Sequence, residues 1–259
     1  MNRKLPRLVP IVMLVVLSAF VTTSTTPAYD KHHPRVAPRD SKPHGPGMTY
    51  EEWAAALLQW VYSQPVDASP LSDTTGTLTQ QAESGKVWFL PGPSELVPQP
   101  QKLFLTMPAG TALFFSPLGF YGAGPTPFCP TAEQCVDFVK SHPLAGGVAA
   151  QDVEIDGVPV SNIDQFLILS PVVPLHVPAN GFWVDFVGKP GPFTFGVFGG
   201  FGLFIRPLAP GQHVIHAGTT ARFGRVAFEI TYTITVTPCD DKLGDHECGD
   251  EQPDGGEGD

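Results

Sequence analysis

The sequence predicts a mainly β protein: an antiparallel, jelly-roll-like β-sandwich with an N-terminal amphipathic helix and one short inserted helix. Three observations carry this. Between residues 86 and 236 lie ten short runs rich in β-branched and aromatic residues, bounded by Gly or Pro. The last run alternates strictly, Phe228, Ile230, Tyr232, Ile234 and Val236 against Glu229, Thr231, Thr233 and Thr235, which is the period of a strand with one face in a core and the other in solvent. Helical patterning is confined to two segments, and many strands with sparse helix favour a sandwich.

The first element is the helix in MTYEEWAAALLQWVYSQP. Thr49 and Glu52 form a capping box and Pro65 closes the helix. Trp53, Leu57, Trp60 and Val61 fall on one face, a stripe that suits burial against a sheet better than a ligand platform. Strands follow in KVWFL (86–90), KLFLTM (102–107) and TALFFS (111–116), the last fed by the Pro108-Ala109-Gly110 turn. A second capping box, Thr131 with Gln134, opens a short helix that ends before Pro143. VEI (153–155) and VPV (158–160) are joined by Asp156-Gly157, whose Gly supplies the positive φ of a type I′ hairpin turn. The remaining strands are QFLILS (165–170), VVPLHV (172–177), GLFIR (202–206), QHVIHA (212–217, after Ala209-Pro210-Gly211) and VAFEITYTITV (226–236).

Around this domain, residues 49–237, the chain has three further regions. Residues 1–28 have the layout of a signal peptide: Arg3, Lys4 and Arg7, then the apolar run 11–21, then small residues at Thr26 and Ala28. That run is far shorter than the roughly 20 residues of a membrane-spanning helix. Cleavage near Ala28 and secretion, to the periplasm or beyond, are expected, with no transmembrane segment in the mature chain. Residues 29–48, rich in Pro, His and basic residues, read as a disordered linker, and residues 238–259 as a disordered acidic tail. Cys129, Cys135, Cys239 and Cys248 read as disulfides in an oxidising compartment, with proximity favouring Cys129–Cys135 and Cys239–Cys248. The formal charge of −10 leaves no basic stripe, which excludes nucleic acid as a partner.

Candidate sites are few. His213 and His216 are three apart in a strand, so they point to opposite faces and cannot share a metal. A metal cupin would place His-x-His after the turn that here leads to Thr111, Ala112 and Leu113. No metal and no cofactor are expected. LSDTTGT (71–77) has the Asp-Thr-Gly of an aspartic protease without a second copy, and the nucleophile elbow and the nucleotide-binding glycine motifs are missing. Two weak sets remain. Asp67, Asp73, Glu83 and Glu95 occupy irregular stretches where a pair of carboxylates could do hydrolytic chemistry. Trp183, Phe193, Phe195, Phe198 and Phe201, with Phe204, crowd a glycine-rich segment that no single strand periodicity accommodates; a core hairpin made flexible by glycine is the preferred reading, and the alternative is a patch exposed for ligand contact.

In order, YEEWAAALLQW, SGKVWFLPG, MPAGTALFFSP, VEIDGVPV and PLAPGQHVIHAG with ITYTITV resemble a group of uncharacterised exported bacterial proteins with no known activity. The resemblance implies one compact exported domain and transfers no catalytic residue. The expected function is therefore that of a secreted, non-catalytic β-sandwich for extracellular or surface binding, its partner a polysaccharide or a surface protein. The alternatives are a hydrolase using carboxylates in 65–101, or a structural envelope component.

Overall fold

The alternation in β10 (Val226–Thr237) is realised from residue 230 on: Ile230, Tyr232, Ile234 and Val236 are buried and Thr235 is exposed, while Phe228, beside a register shift, is half-buried. The computed structural model describes residues 35–43, 47–78, 86–94, 99–141, 148–181, 193–221 and 226–238. All belong to the unit Lys31–Asp259, and the other unit, Met1–Asp30, lies outside the described residues. So do Trp183, Glu83, Glu95, Cys239, Cys248, the segment read as a signal peptide and, from residue 239 on, the acidic tail.

The protein is mainly β, with two five-stranded sheets and two α-helices among the described residues. One sheet runs β1 (Val87–Leu90), β3 (Ala112–Gly124), β8 (Phe195–Ile205), β6 (Leu167–Leu169), with β7 (Val173–Pro174) also paired to β8. The other runs β2 (Gln101–Pro108), β10, β9 (Gly211–Ala221), β4 (Val148–Ile155), β5 (Val158–Pro159). Two pairings, β1 with β3 and β2 with β10, are parallel, where antiparallel pairing was expected throughout. Between β1 and β3 the chain crosses to the other sheet as β2, and such an excursion is long enough to bring it back parallel.

Helix α1 (Tyr50–Ser63) starts at the expected capping box, with Glu52 N–H donating to Thr49 Oγ1 and Thr49 N–H to Glu52. Its aromatic stripe packs on the first sheet: Trp53 lies 5.6 Å from Phe204 and Trp60 5.5 Å from Phe89, centroid to centroid. The opposite face of that sheet meets β10, Phe115 lying edge-on to Tyr232 at 6.0 Å. Beyond the reach of the second sheet, α2 (Ala132–Ser141) takes over the cover: a Cβ on Gly199 would come within 2.4 Å of Val139, and one on Gly122 within 2.6 Å. The Cys129–Cys135 disulfide fixes the loop that leads into α2.

β8 is therefore buried on both faces, and such strands read as continuous apolar runs rather than as alternation. For the described phenylalanines that favours the core hairpin and removes the alternative of an exposed contact patch. Phe193, Phe198, Phe201 and Phe204 are all interior, and Phe195 is half-buried against the disulfide cluster. β3 likewise runs past the expected residue 116, because a bulge between Phe115 and Leu118 absorbs Pro117.

Residues 35–43, read as linker, are part of the fold. Val36 bridges Ile205 on β8, and Val36 and Ala37 are buried. Arg39 pairs with Glu51 and lies over the Tyr50 ring, while Trp53 donates its indole N–H to the Pro43 carbonyl. Two apolar side chains and an arginine with an aromatic partner suffice to hold a segment whose composition otherwise reads as disorder.

Candidate functional site

Both faces of the first sheet are covered. The outer face of the second is left open among the described residues. Registers place its side chains in rows across the strands: Thr106, Thr235, Gln212; then Phe104, Thr233, Val214; then Lys102, Thr231, His216, Glu154. Phe104 is 61 % exposed, an aromatic ring presented to water from a strand whose Leu103, Leu105 and Met107 face the core.

At the edge of this face lies a cavity of about 470 Å³, within the size range of small-molecule sites. Trp88 from β1, Phe104 and Thr106 from β2, Thr233 and Thr235 from β10, and Thr77 contribute to its lining. Among the described residues no ionisable side chain lines it. The indole N–H of Trp88 is out of solvent and has no hydrogen-bond partner among the described residues. Because indole nitrogen only donates, a buried unpaired one stands out in a folded protein.

The wall next to Thr77 is built by LSDTTGT. The Asp73 carboxylate accepts the backbone N–H groups of Thr75 and Gly76, each at 2.8 Å, that of Leu78 at 3.0 Å, and the Thr75 hydroxyl at 2.9 Å. Burial raises the Asp73 carboxyl, but the three N–H groups and the hydroxyl outweigh it, and its pKa lies below the usual value. The turn so formed offers the Thr75 carbonyl to Phe104 N–H at 2.8 Å, closing the free edge of β2. Gly76 sits at φ +96°, and a Cβ there would lie 2.5 Å from the Phe104 carbonyl oxygen, so only glycine fits. Tyr232, pushed well above its usual pKa by burial and then by the Asp73 charge, donates its hydroxyl to Pro91.

Of the carboxylate candidates, Asp67 and Asp73 lie among the described residues and Glu83 and Glu95 outside them. Asp73 is held by its own turn, and Asp67 is exposed on the 3-10 turn Val66–Ala68. His213 and His216 do point to opposite faces. His213 is buried, with Nδ1 2.8 Å from Asp156 Oδ2 and Nε2 2.8 Å from the Ala209 carbonyl. A carbonyl only accepts, so Nε2 carries its hydrogen and is not a free base. Asp156 also pairs with Arg35 and accepts Val214 N–H at 2.9 Å. Burial raises its carboxyl, but His213, Val214 N–H and Arg35 together hold it below the usual value. On the open face His216 Nδ1 meets Thr231 Oγ1 at 3.1 Å, and His176 lies exposed elsewhere. Among the described residues no three His, Cys, Asp or Glu side chains converge as a metal would require.

Trp88 and Phe104 were not singled out in the sequence. Phe104 was within reach, since the alternation of KLFLTM puts an aromatic on the solvent side. Trp88 was not, because its neighbours belong to a different sheet.

No protein-family model matches the chain, and no curated protein matches it.

Proposed function

We propose that this protein is an exported, non-catalytic β-sandwich that binds carbohydrate in the cavity between Trp88, Phe104 and the threonines of β2 and β10. The observation that carries this reading is the exposed Phe104 ring in a cavity that Trp88 and a wall of hydroxyls also line. A sugar ring presents apolar C–H surface on its faces and hydroxyls at its edges. Aromatic side chains take the first, and threonine hydroxyls, which both donate and accept, take the second. The Cys129–Cys135 disulfide supports an oxidising compartment, and the structural engagement of Asp73 and His213 supports binding without turnover.

The test is sedimentation of the protein with insoluble polysaccharides, followed by titration calorimetry on fragments of those that retain it. Phe104→Ala is expected to weaken binding about tenfold and to leave the urea midpoint unchanged. Failure of every polysaccharide to retain the folded protein overturns the reading. So does release of reducing sugar that disappears in Asp73→Asn, which would mark an enzyme.

A further inference from the structure

We infer that the ligand is an uncharged polysaccharide segment laid across β2, β10 and β9, at right angles to the strands. This rests on the carbohydrate reading and adds charge class and direction to it. Two rows of side chains cross the open face at the cavity, Thr106–Thr235–Gln212, all three of which line it, and Phe104–Thr233–Val214, and neither row contains a charged side chain. The nearest charges at the far end of the second row are Asp156 and Arg35, paired with each other beside Val214, and one row further stand Lys102 and Glu154, opposite in sign and on different strands. An anionic glycan would find no cationic row, and the net charge of −10 would oppose it. A cationic one would find no carboxylate among the described residues of the cavity wall.

The direction follows from the polar groups. The side chains of Thr106, Thr235 and Gln212 make no hydrogen bond to other described residues, whereas the Thr231 hydroxyl in the charged row is engaged by His216. Neighbouring strands repeat at about 4.8 Å, so these three side chains form an evenly pitched row of donors and acceptors. A polymer with a regular run of hydroxyls can engage such a row along its length. Phe104 at the β2 edge anchors one end, and Gln212 on β9 receives the other.

Titration calorimetry of the full chain against a soluble neutral glucan, a polygalacturonate and a chitosan, each at low and high salt, tests charge class. The neutral glucan should bind, with an affinity that changes less than about twofold with salt. Preference for polygalacturonate or chitosan, with affinity falling steeply in salt, overturns the neutral ligand while leaving carbohydrate binding intact. Binding of none of the three overturns both. Gln212→Ala tests direction: it should weaken a neutral oligosaccharide long enough to cross the three strands, about 10 Å, several-fold and leave a monosaccharide unaffected. Equal affinity of Gln212→Ala and wild type at every chain length overturns the cross-strand placement.

Discussion

The Asp156 carboxylate reaches His213 Nδ1 at 2.8 Å from the tip of the hairpin between β4 and β5. The same carboxylate holds Arg35, at the start of the segment whose Val36 bridges β8, so one side chain joins three parts of the chain. Asp156 itself stands at φ 52° beside Gly157 at φ 75°, the two left-handed residues of the turn expected from Asp-Gly.

Asp156→Asn keeps the turn, because asparagine tolerates this backbone, but removes the charge. It should lower stability by about 1 kcal/mol, the order of a partly exposed charge-assisted contact. Chemical denaturation of both proteins at neutral pH checks this.

Acid should weaken the fold at the same place. The Asp156 and Asp73 carboxyls are held below their usual values, after the opposing effect of burial, by hydrogen bonds and, for Asp156, by charge. Groups of this kind contribute stability above the unfolded-state pKa of about 3.9, and lose it as pH falls through the lower folded-state value. The urea midpoint should fall across that window in the wild type. It should fall less steeply in Asp156→Asn.

Asp73→Ala should be costlier than Asp156→Asn. It leaves the N–H groups of Thr75, Gly76 and Leu78 without their acceptor, the Gly76 one buried and the other two part-buried, and an unpaired buried donor costs on the order of 1–3 kcal/mol. Gly76→Ala should act on the same turn by driving a Cβ into the Phe104 carbonyl. In both variants faster hydrogen exchange is expected at Phe104 N–H, whose acceptor is Thr75.

Removing the disulfide with Cys129→Ser should cost about 2 kcal/mol, as for a short closed loop. The loss should centre on the cluster of Cys135, Val139 and Val197. Denaturation with and without reductant checks it: the wild type should respond and the variant should not.

How much of this was legible in the sequence depends on how local the signal is. The Thr49–Glu52 box, the Asp156-Gly157 turn and the alternation of β10 from residue 230 on are decided by residues a few positions apart, and each appears as read. β8 could not be read that way. Its Phe and Gly positions are explained only by α1 on one side and by α2 with the second sheet on the other, contacts across long stretches of chain. The parallel pairings and the docking of Val36 are likewise non-local. For the site, Phe104 could be read from its own strand, while its meeting with Trp88 required the two sheets to be assembled.

The most direct test of the account is a calorimetric titration of wild type and Phe104→Ala with a neutral oligosaccharide at equal folded fraction. Saturable binding by the wild type, weakened about tenfold in the variant, is the predicted result. No heat of binding from the wild type, or equal affinity in the two proteins, would contradict it.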